Sequence, residues 1–97
     1  MIGKVRAIGV AWFRREDYQR LREMSDDEMI PTFDEWEAKM AQLVASKAAP
    51  GFILEKVIVD PDELLAYARR LHGGKIDTTV RSAFAAHLVR QKYGTNH

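Results

Sequence analysis

The chain has 97 residues, no cysteine, 15 Lys and Arg against 14 Asp and Glu, and a formal net charge of +1. A chain of that size forms one domain with one modest core, burying roughly two-thirds of its unfolded surface. The missing cysteines exclude disulfides, thiolate metal sites and thiol catalysis, and the near-neutral charge implies no dominant polyanionic partner.

No window approaches the ~20 apolar residues of a membrane span. The opening stretch from Met1 to Ala11 is too short for a signal peptide and carries its charges in the wrong places. A cytoplasmic protein without membrane contact is the expectation.

Lys4 to Phe13 predicts the first strand. Alternation puts Val5, Ala7, Gly9, Ala11 and Phe13 on one face and Lys4, Arg6, Ile8, Val10 and Trp12 on the other. The small side chains at 7, 9 and 11 leave room for a helix backbone to come close. No glycine cluster follows Phe13, which excludes a phosphate-cradling loop at that point.

Arg14 to Met24 predicts a short helix with Tyr18 and Leu21 inward. Ser25-Asp26-Asp27-Glu28 lacks the alternating acids, central Gly and distant Glu of a calcium loop, so it reads as a solvated acidic loop. Thr32-Phe33-Asp34-Glu35 is a capping box. It opens a helix to about Lys47 with Trp36, Met40, Leu43 and Val44 as its apolar stripe, and Ala48-Ala49-Pro50-Gly51 ends it.

Phe52 to Val59 predicts the second strand, a nearly continuous apolar run that suits a strand covered on most of its length. Asp60 is placed to cap a helix, with Pro61 at its first position and Glu63 at the third. Leu64, Ala68 and Leu71 repeat at helical spacing, with Leu65 and His72 beside them, before Gly73 ends the helix. Asp77 can cap the last helix, whose stripe is Val80, Phe84, His87, Leu88 and Gln91 and whose end falls near Tyr93-Gly94. Thr95 to His97 reads as a tail.

The predicted order is β-α-α-β-α-α, a small two-layer α+β domain of two strands and four helices spanning residues 1–97. Strands joined through helices pair in parallel when adjacent. A sheet of two strands is marginal alone and its edges are templates for pairing, so a homodimer is expected. Charge is divided along the chain. Residues 14–40 hold nine acids and five bases, a balance of −4, and residues 61–97 hold three acids and six bases, a balance of +3. Such halves can attract within one chain or between copies.

Candidate chemistry is sparse. His72, His87 and His97 stand at no zinc spacing, and no serine lies in a nucleophile elbow. No metal, cofactor or catalytic residue is therefore expected. The leading reading is a self-associating protein-interaction module whose partner-binding residues are Trp12, Phe13, Arg14, Arg15 and Tyr18, where a strand end meets a polar helix start. An alternative is a nucleic-acid-binding accessory protein, with the last two helices as a helix-turn-helix-like pair carrying Arg69, Lys75, Thr78, Thr79 and Arg81. Against it, the sequence pI of 8.1 is below that of a dedicated binder. A third reading is a small enzyme or ligand-binding protein with a polar pocket of Arg14, Glu16 and Asp17 at the strand end.

Three short motifs carry a resemblance: Ala-Trp-Phe-Arg-Arg-Glu-Asp-Tyr at 11–18, Asp-Glu-Trp at 34–36 and Val-Asp-Pro-Asp-Glu-Leu at 59–64. Together they resemble a set of small bacterial proteins of uncharacterised activity, over nearly the whole chain. The resemblance implies a free-standing bacterial protein and supplies no activity.

Overall fold

The computed structural model describes residues 6–46 and 52–92. Within them the chain runs β1 (Arg6–Trp12), α1 (Arg15–Met24), α2 (Phe33–Ser46), β2 (Phe52–Ile58), α3 (Pro61–Leu71) and α4 (Thr78–Lys92), an α+β fold in the expected order. The expected strand start at Lys4, the helix stop at 47–51, the helix end at Tyr93-Gly94 and the tail lie outside the described residues.

β1 and β2 pair in parallel, from Arg6 beside Phe52 to Trp12 beside Ile58. The Val59 N–H donates to the Trp12 carbonyl at 2.9 Å, which fixes the phase of the ladder. In a parallel pair alternate residues of each strand bond the neighbour. Ile8, Val10 and Trp12 therefore direct their backbone groups to β2, and Ala7, Gly9 and Ala11 direct theirs to the free edge of β1. On β2 the outward set is Leu54, Lys56 and Ile58.

α4 lies at the centre of the molecule. The small-residue face of β1 admits it as the sequence implies: a Cβ added at Gly9 would lie 2.7 Å from Val89 Cγ2 and 2.8 Å from the Ala85 carbonyl oxygen. Its other side meets α3, with the Phe84 and Tyr67 ring centroids 5.1 Å apart. The single expected stripe is corrected accordingly. Val80, Arg81, Phe84, Ala85 and Val89 are the buried residues, while His87 and Leu88 are half-buried and Gln91 is exposed. A helix held between two layers buries two faces, which a one-stripe pattern does not describe.

All three capping predictions hold, at Asp60, Thr32 and Asp77. The Glu63 N–H donates to Asp60 Oδ2 at 3.0 Å, and the Glu35 N–H to Thr32 Oγ1 at 3.2 Å. The buried side of α3 is Pro61, Leu64, Tyr67 and Ala68. Leu71, expected on it, is 57% exposed. The helix ends there, and Gly73 and Gly74, at φ of 63° and 85°, turn the chain before anything can cover the last turn.

Two elements are less covered than their sequences suggest. β2 leaves Ile53 51% and Ile58 47% exposed, so the near-continuous apolar run does not mark a covered strand. α2 buries only Trp36, leaving Met40 and Val44 half-buried and Leu43 exposed. The radius of gyration of 14.4 Å exceeds the about 13 Å of a compact chain this long. Among the described residues, no helix is long and apolar enough to cross a membrane.

The Gly9 contact yields a direct test. Gly9→Ala gains roughly 0.5–1 kcal/mol of chain entropy in a strand but forces a methyl against a backbone carbonyl, at about 1–3 kcal/mol. Urea denaturation should show net destabilisation. Val89→Ala added to it should restore only part of the loss, because the Ala85 carbonyl stays 2.8 Å from the new carbon.

Candidate functional site

The end of β1 runs into an aromatic cluster. Trp36 of α2 is its hub, with ring centroids 4.9 Å from Trp12, 4.8 Å from Phe13, 5.5 Å from Phe33 and 5.7 Å from Tyr18. Separations and tilts of this kind suit the quadrupoles of aromatic rings. The Tyr18 hydroxyl is satisfied by the Ile30 carbonyl at 2.6 Å. Cations close the outer faces: Lys56 Nζ sits 4.2 Å over Trp12 and the Arg15 guanidinium 4.6 Å over Phe33.

The structure thus brings Trp12, Phe13, Arg14, Arg15 and Tyr18 to one corner but divides their roles. Trp12, Phe13 and Tyr18 are core. Arg14 and Arg15 are exposed, and each meets carboxylates: Arg14 reaches Asp17 at 2.7 Å and Asp60 at 3.3 Å, and Arg15 reaches Asp34 at 2.7 Å. The residues Arg14, Glu16 and Asp17 lie on this outer surface, Glu16 exposed and Asp17 paired with Arg14.

The acidic loop after α1 straps down the start of α4. The Asp26 N–H donates to the Ile76 carbonyl at 2.7 Å, and its carboxylate accepts the Ile76 N–H at 2.8 Å. Asp27 accepts both the backbone N–H and the hydroxyl of Thr78 at 3.1 Å. It also takes a bidentate pair from Arg81, at 2.9 and 2.8 Å. Arg81 is only 6% exposed, and two further N–H groups of it reach Ser25 Oγ at 2.9 Å and Thr78 Oγ1 at 3.0 Å. The Arg81 hydrogen bond, aided by its charge and by Thr78, outweighs burial and holds the Asp27 carboxyl at about 2. The loop that reads as solvated acid is a fastening, because acids at 26 and 27 meet donors about fifty residues away.

That strap bears on the nucleic-acid residues. Arg69, Lys75, Thr78 and Thr79 are exposed, whereas Arg81 is buried on Asp27. The Val80 N–H donates to Asp77 Oδ1 at 2.9 Å, so Asp27 and Asp77 both occupy the start of α4. A phosphate approaching this helix terminus meets carboxylates already there.

A cleft of ≈ 440 Å³ runs along the free edge of β1. Its floor is Gly9, Val10, Ala11 and Phe13. One wall is α2, through Trp36, Met40 and Leu43; the other is the first turn of α4, through Thr78, Arg81 and Ser82. Glu28, Met29 and Ile30 close one end. Sequence reading did not single this cleft out, because it draws on four separate segments. The one local signal was the run of small residues at 7, 9 and 11, whose edge backbone it exposes.

Among the described residues, no three His, Asp or Glu side chains converge as metal ligands. His72 and His87 do flank one ring, with centroids 5.2 and 5.5 Å from that of Tyr67. Comparison with known proteins found no family model, no curated protein and no solved structure that matches this chain. Function rests on the geometry alone.

The Asp27–Arg81 pair predicts a pH dependence. Asp27 titrates at about 2 in the folded chain against 3.8 free, so its contribution is present above the higher value and lost as pH falls through the lower. The contribution is on the order of 2 kcal/mol. Asp27→Asn should lower the urea midpoint at neutral pH, and its gap to wild type should close by about pH 2. A gap that stays constant with pH would assign the contribution to packing instead.

Proposed function

We propose that this chain is a self-associating interaction module of the cytoplasm, working through protein contacts and not through chemistry of its own. The observation that carries the reading is the state of β2. Its outer edge turns the backbone groups of Leu54, Lys56 and Ile58 away from β1. Exposed apolar side chains flank that edge: Ile53 on the α4 face, and Ile58 with Ile8 on the opposite face. A strand of this composition with an unpaired edge is a pairing template, and a sheet of two strands gains most from extension. An antiparallel pairing of β2 with β2 of a second copy about a two-fold axis makes a four-stranded sheet ordered β1-β2-β2-β1. Among the described residues, no helix packs across that edge strongly enough to block it, since α4 lies mainly under β1.

Nucleic-acid binding is the weaker reading. Burial of Arg81 leaves the start of α4 with acids in place of a free cation, and no observation favours a base-reading face. Catalysis is weaker again, because Arg14, Glu16 and Asp17 lie on an ion-paired outer surface.

Size exclusion with light scattering tests the proposal, and a dimer mass at micromolar concentration is expected. Lys56→Pro removes an outward N–H of β2 while leaving its ladder to β1 intact, so it should give a monomer with unchanged circular dichroism. A monomeric wild type, or a dimer indifferent to Lys56→Pro, would overturn pairing through this edge.

A further inference from the structure

We propose that the cleft along β1 binds an extended, mostly apolar peptide segment of another protein, basic at one end, which joins the sheet on the side opposite β2. The inference does not depend on the dimer, which uses the other edge.

The floor of the cleft dictates an extended chain. Gly9 and Ala11 point backbone N–H and C=O groups into it, and Ala7, outside the cleft, continues the same edge. Groups of this kind recur about every 6.6 Å, the two-residue repeat of a strand. Half-buried backbone polar groups in an apolar cleft are costly when unpaired. A helical ligand satisfies its own backbone and leaves these groups as they are, whereas an added strand pairs them. Gly9 to Phe13 spans about 13 Å, the length of roughly five extended residues.

The walls dictate side chains. One side of an added strand faces Trp36, Met40 and Leu43, where flexible methionine accepts varied apolar groups. The other faces the exposed Ser82 and the first turn of α4, where the Thr78 hydroxyl is already bonded to Asp27 and Arg81, and suits small or hydroxylated residues. Glu28 lines one end of the cleft, and Asp26 lies two residues before it in the chain, while Asp27 is paired with Arg81. Asp26 and Glu28 are exposed, so a Lys or Arg on the entering segment is attracted there.

The two walls also select the occupant. β1 of a second copy brings its own flanking helices with it, so a cleft walled by α2 and α4 suits a lone strand better than a second copy's edge. A lone strand enters.

The probe is the peptide acetyl-Lys-Val-Thr-Val-Thr-Val-amide, titrated into the full chain and followed by tryptophan fluorescence, since Trp36 lines the cleft. Saturable binding is expected, with slowed amide exchange at Gly9 and Ala11. Ala11→Pro removes an outward donor without touching the ladder to β2 and should weaken binding at least about tenfold. If that variant fails to fold, wild type is tested with the peptide N-methylated on alternate amides. One methylation phase should abolish binding and the other should not. Leu43→Asp, at an exposed position, should weaken binding too. The proposal is overturned by absence of binding, or by binding indifferent to both Ala11→Pro and N-methylation. It is equally overturned if Ala11→Pro, and not Lys56→Pro, dissolves the dimer, since a second copy would then occupy the cleft.

Discussion

A guanidinium buried at the start of α4 ties the two halves of the molecule together. Arg81 has almost no contact with water, and four of its hydrogen bonds go to Ser25, Asp27 and Thr78. A buried charge left without partners is strongly destabilising, so Arg81 and Asp27 hold each other in place. Through Asp27 the end of α1 is fixed against the first turn of α4. Through Asp26 the same loop is laced to Ile76 in the connection after α3. The loop then runs directly into Met29 and Ile30, whose positions close the cleft and receive the Tyr18 hydroxyl.

Gly9 sets the second constraint. The absence of a side chain lets α4 come close enough for Val89 and the Ala85 carbonyl to fill the place of a Cβ. With α4 drawn under β1, the edge of β1 is sunk between two helices and β2 is left toward the outside. The two strands have similar backbone chemistry and different surroundings: one free edge lies in a walled cleft, the other on open surface flanked by isoleucines. An open edge suits another sheet, and a walled edge suits a single strand. This asymmetry makes the two edges suit the two different interactions that we propose.

The aromatic corner shows why residue type alone does not tell a contact surface from a core. Trp12, Phe13 and Tyr18 are residues that proteins use as anchors at interfaces. Here Trp36 gathers them inward, and Lys56 and Arg15 lie across the rings that remain near the surface. Aromatic residues at a strand end serve a core as readily as a partner, and the difference is decided by a helix that the chain places twenty residues later.

Local chemistry was legible from the sequence alone. The caps at Thr32 and Asp60, Pro61 at a helix start, the glycine turn at 73–74, the inward Tyr18 and Leu21 and the order β-α-α-β-α-α follow from interactions within a few residues, which short sequence patterns encode. Parallel pairing followed from the helical connection between the strands. Only the tertiary structure decided what depends on neighbours distant in the chain. It paired Asp27 with Arg81, buried α4 on two faces, uncovered Leu71 and β2, and opened the cleft beside β1. Burial is set by which elements meet, and a side chain carries no record of the surface that will face it.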